Sequence, residues 1–192
     1  VASPEWNRSD SVTRAGAATW GDGANGTSGP VDIDNSFVGA VTNDAIAQYA
    51  VALGNGDYVV ASPYWSGRRG AATFGSGSAA SSGEVGAANS LVGERSTDFI
   101  SASGVLDLPD GGYALPTPRY GRDDAPSLGA ISRAAPGSGI QGTISAGNSF
   151  TGALAGDRAG AGGLIALANG DLLVRSALAS GFGALTRIPA GA

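Results

Sequence analysis

Carboxylates are the side chains here best equipped for acid–base chemistry, and their spacing sorts them into two groups. Asp32-Asp34 and Asp123-Asp124 carry the residue type a glycoside hydrolase needs, two carboxyl groups about 5–9.5 Å apart in one cleft. Asp44, Asp98 and Asp157 instead recur once per repeat, each nine residues after an Asn. A catalytic pair is singular, so the recurring acids read as braces that accept backbone N–H bonds in turns. The rest of the catalytic alphabet is absent. With no histidine, cysteine or lysine there is no Ser-His-Asp triad, thiolate nucleophile, Schiff base, phosphate-loop lysine or ordinary zinc site. Gly137-Ser138-Gly139-Ile140-Gln141-Gly142 matches a dinucleotide-binding glycine pattern, but it follows Pro136 and opens a strand-like run, Thr143 to Phe150, where that chemistry requires a helix. No catalytic residue is assigned. The expectation is a protein that is not an enzyme and uses no cofactor.

The elements that position these acids emerge from internal periodicity. Three tight turns, Asn55-Gly56, Asp110-Gly111 and Asn169-Gly170, lie between apolar-rich runs at spacings of 55 and 59 residues. Asn-Gly and Asp-Gly favour the two-residue type I′ hairpin, which needs positive φ at both central residues. A strand after each turn ends in a proline and an aromatic at Ser62-Pro63-Tyr64-Trp65 and Thr117-Pro118-Arg119-Tyr120, with Ser3-Pro4-Glu5-Trp6 at the start and a decayed Ser176-Ala177-Leu178 at the end. Gly16, Gly70, Gly129 and Gly183 open the next strand. An Asn-Ser motif then runs from Asn35 to Gly39, Asn89 to Gly93 and Asn148 to Gly152.

Read from the hairpin outward, the unit holds four strands, at about 45–53, 57–65, 70–76 and 84–92 in the second copy. Glycine interrupts nearly every decade and no long stretch has helical apolar spacing, so no helix of ordinary length is expected. The fold class is therefore all-β, a single repeat domain over 1–192 built of four-stranded antiparallel units. Propeller-like blades are the leading architecture and a β-solenoid the alternative. The units fall at about 1–40 (partial), 41–94, 95–153 and 154–192 (partial), giving meanders of three, four, four and three strands. Incomplete terminal units leave open sheet edges, which are expected to pair with one another, with a neighbouring copy or with flanking repeats.

Composition narrows the partners. The 11 basic residues, all arginine, are scattered against 16 acids for a net charge of -5, so no basic stripe for nucleic acid is present. No apolar run approaches the ~18 residues of a membrane-spanning helix, and no membrane insertion is expected. Thirty-three glycines and 9 prolines in 192 residues approach a disordered composition, but their fixed positions mark turns and close contacts instead. Val1 where an initiator Met would stand points to a processed or excised piece. The sequons at Asn7 and Asn25 carry meaning only in a glycosylating host.

The stretch Leu53-Gly54-Asn55-Gly56-Asp57-Tyr58-Val59-Val60-Ala61-Ser62-Pro63, followed by Gly70-Ala71-Ala72-Thr73-Phe74-Gly75, resembles the FG-GAP blade of integrin-like β-propellers. In detail the copies are similar to repeats of large bacterial surface proteins of the adhesin, filamentous-haemagglutinin-like kind. The resemblance spans essentially the whole chain, and it implies an extracellular or cell-surface, non-catalytic module acting in adhesion or self-assembly. FG-GAP hairpins hold calcium through several turn oxygens. Here only Asn55 and Asp57, or Asn169 and Asp171, match, with Asp110 alone in the middle copy, against the 6–8 oxygens calcium takes, so no metal site is assigned. Trp6, Trp65 and Tyr120 share one register. They suit packing between units, and the alternative function is a lectin-like propeller in which they stack on a cell-surface glycan.

Overall fold

The computed structural model describes residues 1–177 and 181–190; Leu178, the end of the decayed fourth-copy motif, lies outside them. The chain runs through β1 (Ala2–Ser3), β2 (Ala17–Thr19), β3 (Ser36–Val38), β4 (Tyr49–Ala52), β5 (Tyr58–Ser62), β6 (Ala71–Gly75), β7 (Gly83–Glu84), β8 (Ser90–Val92), β9 (Leu106–Asp107), β10 (Tyr113–Thr117), β11 (Ala130–Ala134), β12 (Gly142–Thr143), β13 (Phe150–Thr151), β14 (Leu164–Ala166), β15 (Leu172–Ser176) and β16 (Ala184–Ile188). Antiparallel meanders β1-β2-β3, β4-β5-β6-β8, β9-β10-β11-β13 and β14-β15-β16 form four sheets, the all-β repeat the periodicity predicts. A four-residue helical turn, Trp65–Arg68, follows β5, with Ser66 and Gly67 in left-handed conformation inside it.

Alternation along the central strands decides how the sheets meet. Val59 belongs to a buried cluster with Tyr113 and Leu115 of the third unit, while its neighbour Val60 belongs to one with Ala18 and Phe37 of the first. Successive side chains of a strand point to opposite faces, so β5 is buried on both sides and reads as a continuous apolar run. A third cluster joins Ala114 and Ile131 to Leu172, Val174 and Ile188 of the fourth unit. Each sheet thus packs face to face on its sequence neighbours. Burying one such Val or Leu side chain contributes about 1.5–3 kcal/mol.

The strands expected in the second copy are shorter, at 49–52, 58–62, 71–75 and 90–92, and the expected 84–92 strand is split. Its first part, β7, leaves its own sheet and pairs in parallel with β3 of the preceding unit, Phe37 opposite Gly83 and Val38 opposite Glu84. The same happens one repeat later, where β12 pairs in parallel with β8, Leu91 opposite Gly142. The strand-like run expected over Thr143 to Phe150 is accordingly interrupted between β12 and β13.

The hairpins are not type I′. Gly56 N–H bonds to Leu53 O (2.9 Å) and Leu53 N–H to Asp57 O (2.8 Å), closing a three-residue loop in which Gly56 alone has positive φ, 94°. This is a type I turn followed by a left-handed bulge residue. Leu108 to Gly112 and Leu167 to Asp171 repeat it, with Gly111 and Gly170 at φ 85° and 84°. Pro109 in the second loop suits the first central position of a type I turn, where its fixed φ is already correct.

Candidate functional site

The feature with the most conserved geometry inside this chain is the joint between units, and it is built from the Asn-Ser motif. Asn89 Nδ2 donates to Glu84 O (3.0 Å), Oδ1 accepts from the Gly86 amide (3.1 Å) and from Ser90 Oγ (2.9 Å). One side chain therefore bends the chain between β7 and β8 and holds β7 out towards the previous unit. Asn148 does the same between β12 and β13, with Nδ2 on Thr143 O (3.0 Å) and Oδ1 taking the Ser145 amide (2.8 Å). The Ser hydroxyl pairs inward, Thr19 with Ser36, Thr73 with Ser90 and Ser132 with Ser149, at 2.7–2.8 Å. The donated segment is completed by Val85 N–H on Val38 O (3.0 Å) and Ile144 N–H on Val92 O (2.9 Å), both side chains being buried.

The recurring acids act as turn braces. Asp44 Oδ2 accepts from the Ala40 and Val41 amides, Asp98 Oδ2 from Glu94 and Arg95, and Asp157 Oδ2 from Ala153 and Leu154, all at 2.8–3.0 Å. Asp44 Oδ1 also takes the Ser66 amide of the next unit at 2.8 Å. Asp98 Oδ1 is buried without a hydrogen-bond partner among the described residues, and burial pushes the Asp98 carboxyl above its ordinary value against the pull of the Arg95, Glu94 and Gly121 amides. Close backbone contact completes the bend. Gly70 has φ 78°, and a Cβ there would lie 2.4 Å from Ile100 N. Gly16 and Gly129 repeat this contact against Ile46 and Ala159.

The hairpin residues that fit a calcium turn are engaged otherwise. Asn55 Nδ2 donates to Asp57 Oδ2 (2.8 Å) and across the unit boundary to Gly111 O (3.0 Å), while Asp57 Oδ1 accepts from the Gly77 amide (3.1 Å). Asp171 accepts from Asn169 Nδ2 (2.9 Å), the Arg187 guanidinium and the Ala190 amide (3.0 Å), and the Arg187 bond holds its carboxyl below the usual value. Asp110 is likewise lowered, first by the Gly112 amide and then by Arg133, 2.7 Å away. No group of three or more Asp and Glu side chains gathers among the described residues.

The other sequence-level candidates separate. Tyr120 is buried in the cluster that contains Ile144, and Trp65 is half-buried against the one containing Val85, its indole N–H on Val85 O at 3.1 Å. The Trp65 ring therefore backs the donated segment at Val85; Trp6 is half-buried. Asp123 and Asp124 are exposed and pair with Arg95 and Arg122 respectively, while Asp32 Oδ1 accepts from the Asp34 amide (3.0 Å). Gly137 to Gly142 leads into β12, not into a helix.

Sequence reasoning missed the donated strands themselves. Their signal was legible: Gly83-Glu84-Val85 and Gly142-Thr143-Ile144 each place a Gly six residues and an aliphatic residue four residues before the motif Asn.

A family model described as "Repeat of unknown function (DUF5650)" matches three stretches, residues 1–48, 52–102 and 107–161. No curated protein matches the chain.

Proposed function

The chain belongs to the DUF5650 repeat family, and we propose that it is a non-catalytic structural and interaction module of an extracellular or cell-surface protein, acting in adhesion or self-assembly. The observation that carries this reading is the joint: the same donated strand and Asn staple link the first unit to the second and the second to the third, with an Asp brace in each of the first three units, and leave loops of variable sequence outside. Such an array grows by addition of units and offers extended surface rather than a reaction centre. The resemblance to bacterial adhesin repeats supports the surface location.

Chain-coated beads test the proposal on cells, on extracellular matrix and on one another. Adherence above that of uncoated beads is expected. Beads that bind none of these would overturn it.

A lectin-like reading draws on one cleft of about 760 Å³ between the first and second units, lined by Glu5, Arg14, Asn43, Gln48 and the exposed Tyr64. An aromatic face beside amide and charged groups suits a saccharide. A glycan array decides it, with binding expected to fall on Tyr64→Ala; a blank array would remove this second reading.

A further inference from the structure

We infer, resting on the saccharide-binding reading of the cleft between the first and second units, that this cleft takes an acidic sugar. The sugar ring stacks on Tyr64 and its carboxylate or sulfate pairs with Arg68.

The joint between the second and third units shows what such a place can hold. Counted from the recurring Gly, Asp and Pro, its Arg68, Phe99 and Arg119 correspond to Arg14, Ala45 and Tyr64 of the joint before it. The Arg68 guanidinium lies 5.8 Å from the centroid of the Phe99 ring and that of Arg119 5.1 Å, so a flat group is gripped by two cations where the units meet. At the first joint Ala45 leaves only a methyl there. A cleft of about 760 Å³ opens instead, lined by Arg14, Ala45 and Tyr64 and bounded by Arg68. Ala45 has φ 46° and Phe99 φ 52°, so one backbone conformation carries a ring in one joint and a gap in the other.

The walls of the gap select the ring. Tyr64 is 42% exposed and offers its face to the C–H face of a pyranose. Asn43 and Gln48 supply amide donors and acceptors for hydroxyls. Arg14 is neutralised by Glu5 at 2.7 Å, whereas Arg68 has no ion pair among the described residues. That uncompensated guanidinium calls for an anion, and its planar fork matches carboxylate or sulfate oxygens. An aromatic peptide side chain would satisfy Tyr64 but neither Arg68 nor the two amides. A nucleic-acid strand needs a run of phosphate contacts, which a chain of net charge -5 with scattered arginines does not provide.

Both recognition groups ride on one held turn. Ser66, Gly67 and Arg68 are successive left-handed residues at φ 48°, 68° and 74°, a run that persists only where its surroundings fix it. Asp44 Oδ1 holds the Ser66 amide at 2.8 Å, and the Arg68 N–H bonds to Tyr64 O at 3.0 Å. The Phe99 ring backs the Arg68 guanidinium from the next unit. Tyr64 and Arg68 are thus presented at a set separation, which limits the ordering lost on binding. Arg119, also without an ion pair among the described residues, converges on the same Phe99 ring, so an acidic chain leaving the cleft past Arg68 meets a second cation.

The test is calorimetric titration in about 0.15 M salt, where diffuse charge attraction is screened. The probes are a galacturonic acid oligomer, a sulfated galactan oligomer, their uncharged counterparts (the methyl ester and the desulfated galactan) and single-stranded DNA. At least one acidic oligomer is expected to bind, and the one that does identifies the anion. Affinity should fall roughly tenfold or more for its uncharged counterpart and in Arg68→Gln. Ala45→Phe gives the cleft the ring that Phe99 supplies at the next joint and should abolish binding, with circular dichroism verifying the fold. Tyr64→Ala and Arg68→Gln alter exposed side chains and keep the test open if Ala45→Phe does not fold. No binding of either acidic oligomer, parent-like binding in Arg68→Gln or in folded Ala45→Phe, or DNA bound as tightly would each overturn the inference. If uncharged oligomers bind as tightly as charged ones and Tyr64→Ala abolishes it, the saccharide reading stands and only the acidic preference fails; if no saccharide binds, both fall.

Discussion

Asp44 of the first unit accepts a hydrogen bond from the Ser66 amide of the second, 2.8 Å away, while its other oxygen caps the turn at Ala40 and Val41. At the equivalent place in the next unit, Asp98 keeps the turn bonds but its other oxygen has no hydrogen-bond partner among the described residues. Repeats with one sequence pattern therefore differ in how firmly the acid crosses the boundary.

This difference predicts unequal losses on amide substitution. In Asp44→Asn the new NH₂ must face an amide N–H, so about 1.5–3 kcal/mol of charged hydrogen bonding is lost. In Asp98→Asn the oxygen can stay on the turn amides and the NH₂ takes the poorly bonded side, relieving a buried charge; the cost should be at most about half as large. Denaturant unfolding measures both. Equal losses would show that the Ser66 contact contributes nothing across the boundary.

Glycine substitutions separate conformational cost from steric cost. Gly56→Val meets no atom within 4 Å, so only the left-handed backbone opposes it, at about 1–2 kcal/mol. Gly70→Ala adds a methyl 2.4 Å from Ile100 N and must push two units apart, which should lower the melting temperature far more. A melting temperature unchanged in Gly56→Val would contradict the turn assignment. A Gly70→Ala variant no worse than Gly56→Val would contradict the close contact.

Chelation should leave the melting temperature where it was. The oxygens of Asp57 and Asp171 already accept bonds from amides and, for Asp171, a guanidinium, and too few remain for a calcium shell. A fall of many degrees on adding a chelator, restored by calcium, would return the hairpins to a metal-binding role.

Acid titration should expose two opposite contributions. Asp171 and Asp110 have lowered carboxyl pKa values, so their stabilisation is present above the unfolded Asp value of about 3.9 and is lost as pH falls through their folded values. Asp98 is raised, so its contribution is present below the unfolded value and is lost as pH rises through its folded value. Melting curves between about pH 2 and pH 6 should show a shallower acid loss in Asp171→Asn and a smaller decline with rising pH in Asp98→Asn. Parallel curves for parent and variants would refute these assignments.

Much of this architecture was legible in the residues because backbone geometry imposes it. Gly70 and its equivalents recur where a Cβ has no room, and Asp44, Asp98 and Asp157 recur where amides need an acceptor, so the unit length and the meanders of three, four, four and three follow from spacing. The turn type was misjudged because Asn-Gly serves both a two-residue and a three-residue loop; Pro109-Asp110-Gly111 carried the distinguishing signal. The donated strands were hidden for a different reason. β7 and β12 span two residues each and are held by backbone bonds to another unit, so no strand alternation marks them, only the Gly and the aliphatic residue six and four positions before the motif Asn.

Amide hydrogen exchange in dilute solution tests the donated-strand joint most directly. The N–H groups of Val85 and Ile144, bonded to Val38 and Val92 of the preceding unit, should exchange as slowly as those of the core strand β5, while that of Val31, which has no backbone partner among the described residues, should exchange at the rate of an open loop. Rapid exchange at Val85 and Ile144, indistinguishable from Val31, would contradict the account, because units held together only by their apolar faces would leave those amides open to water.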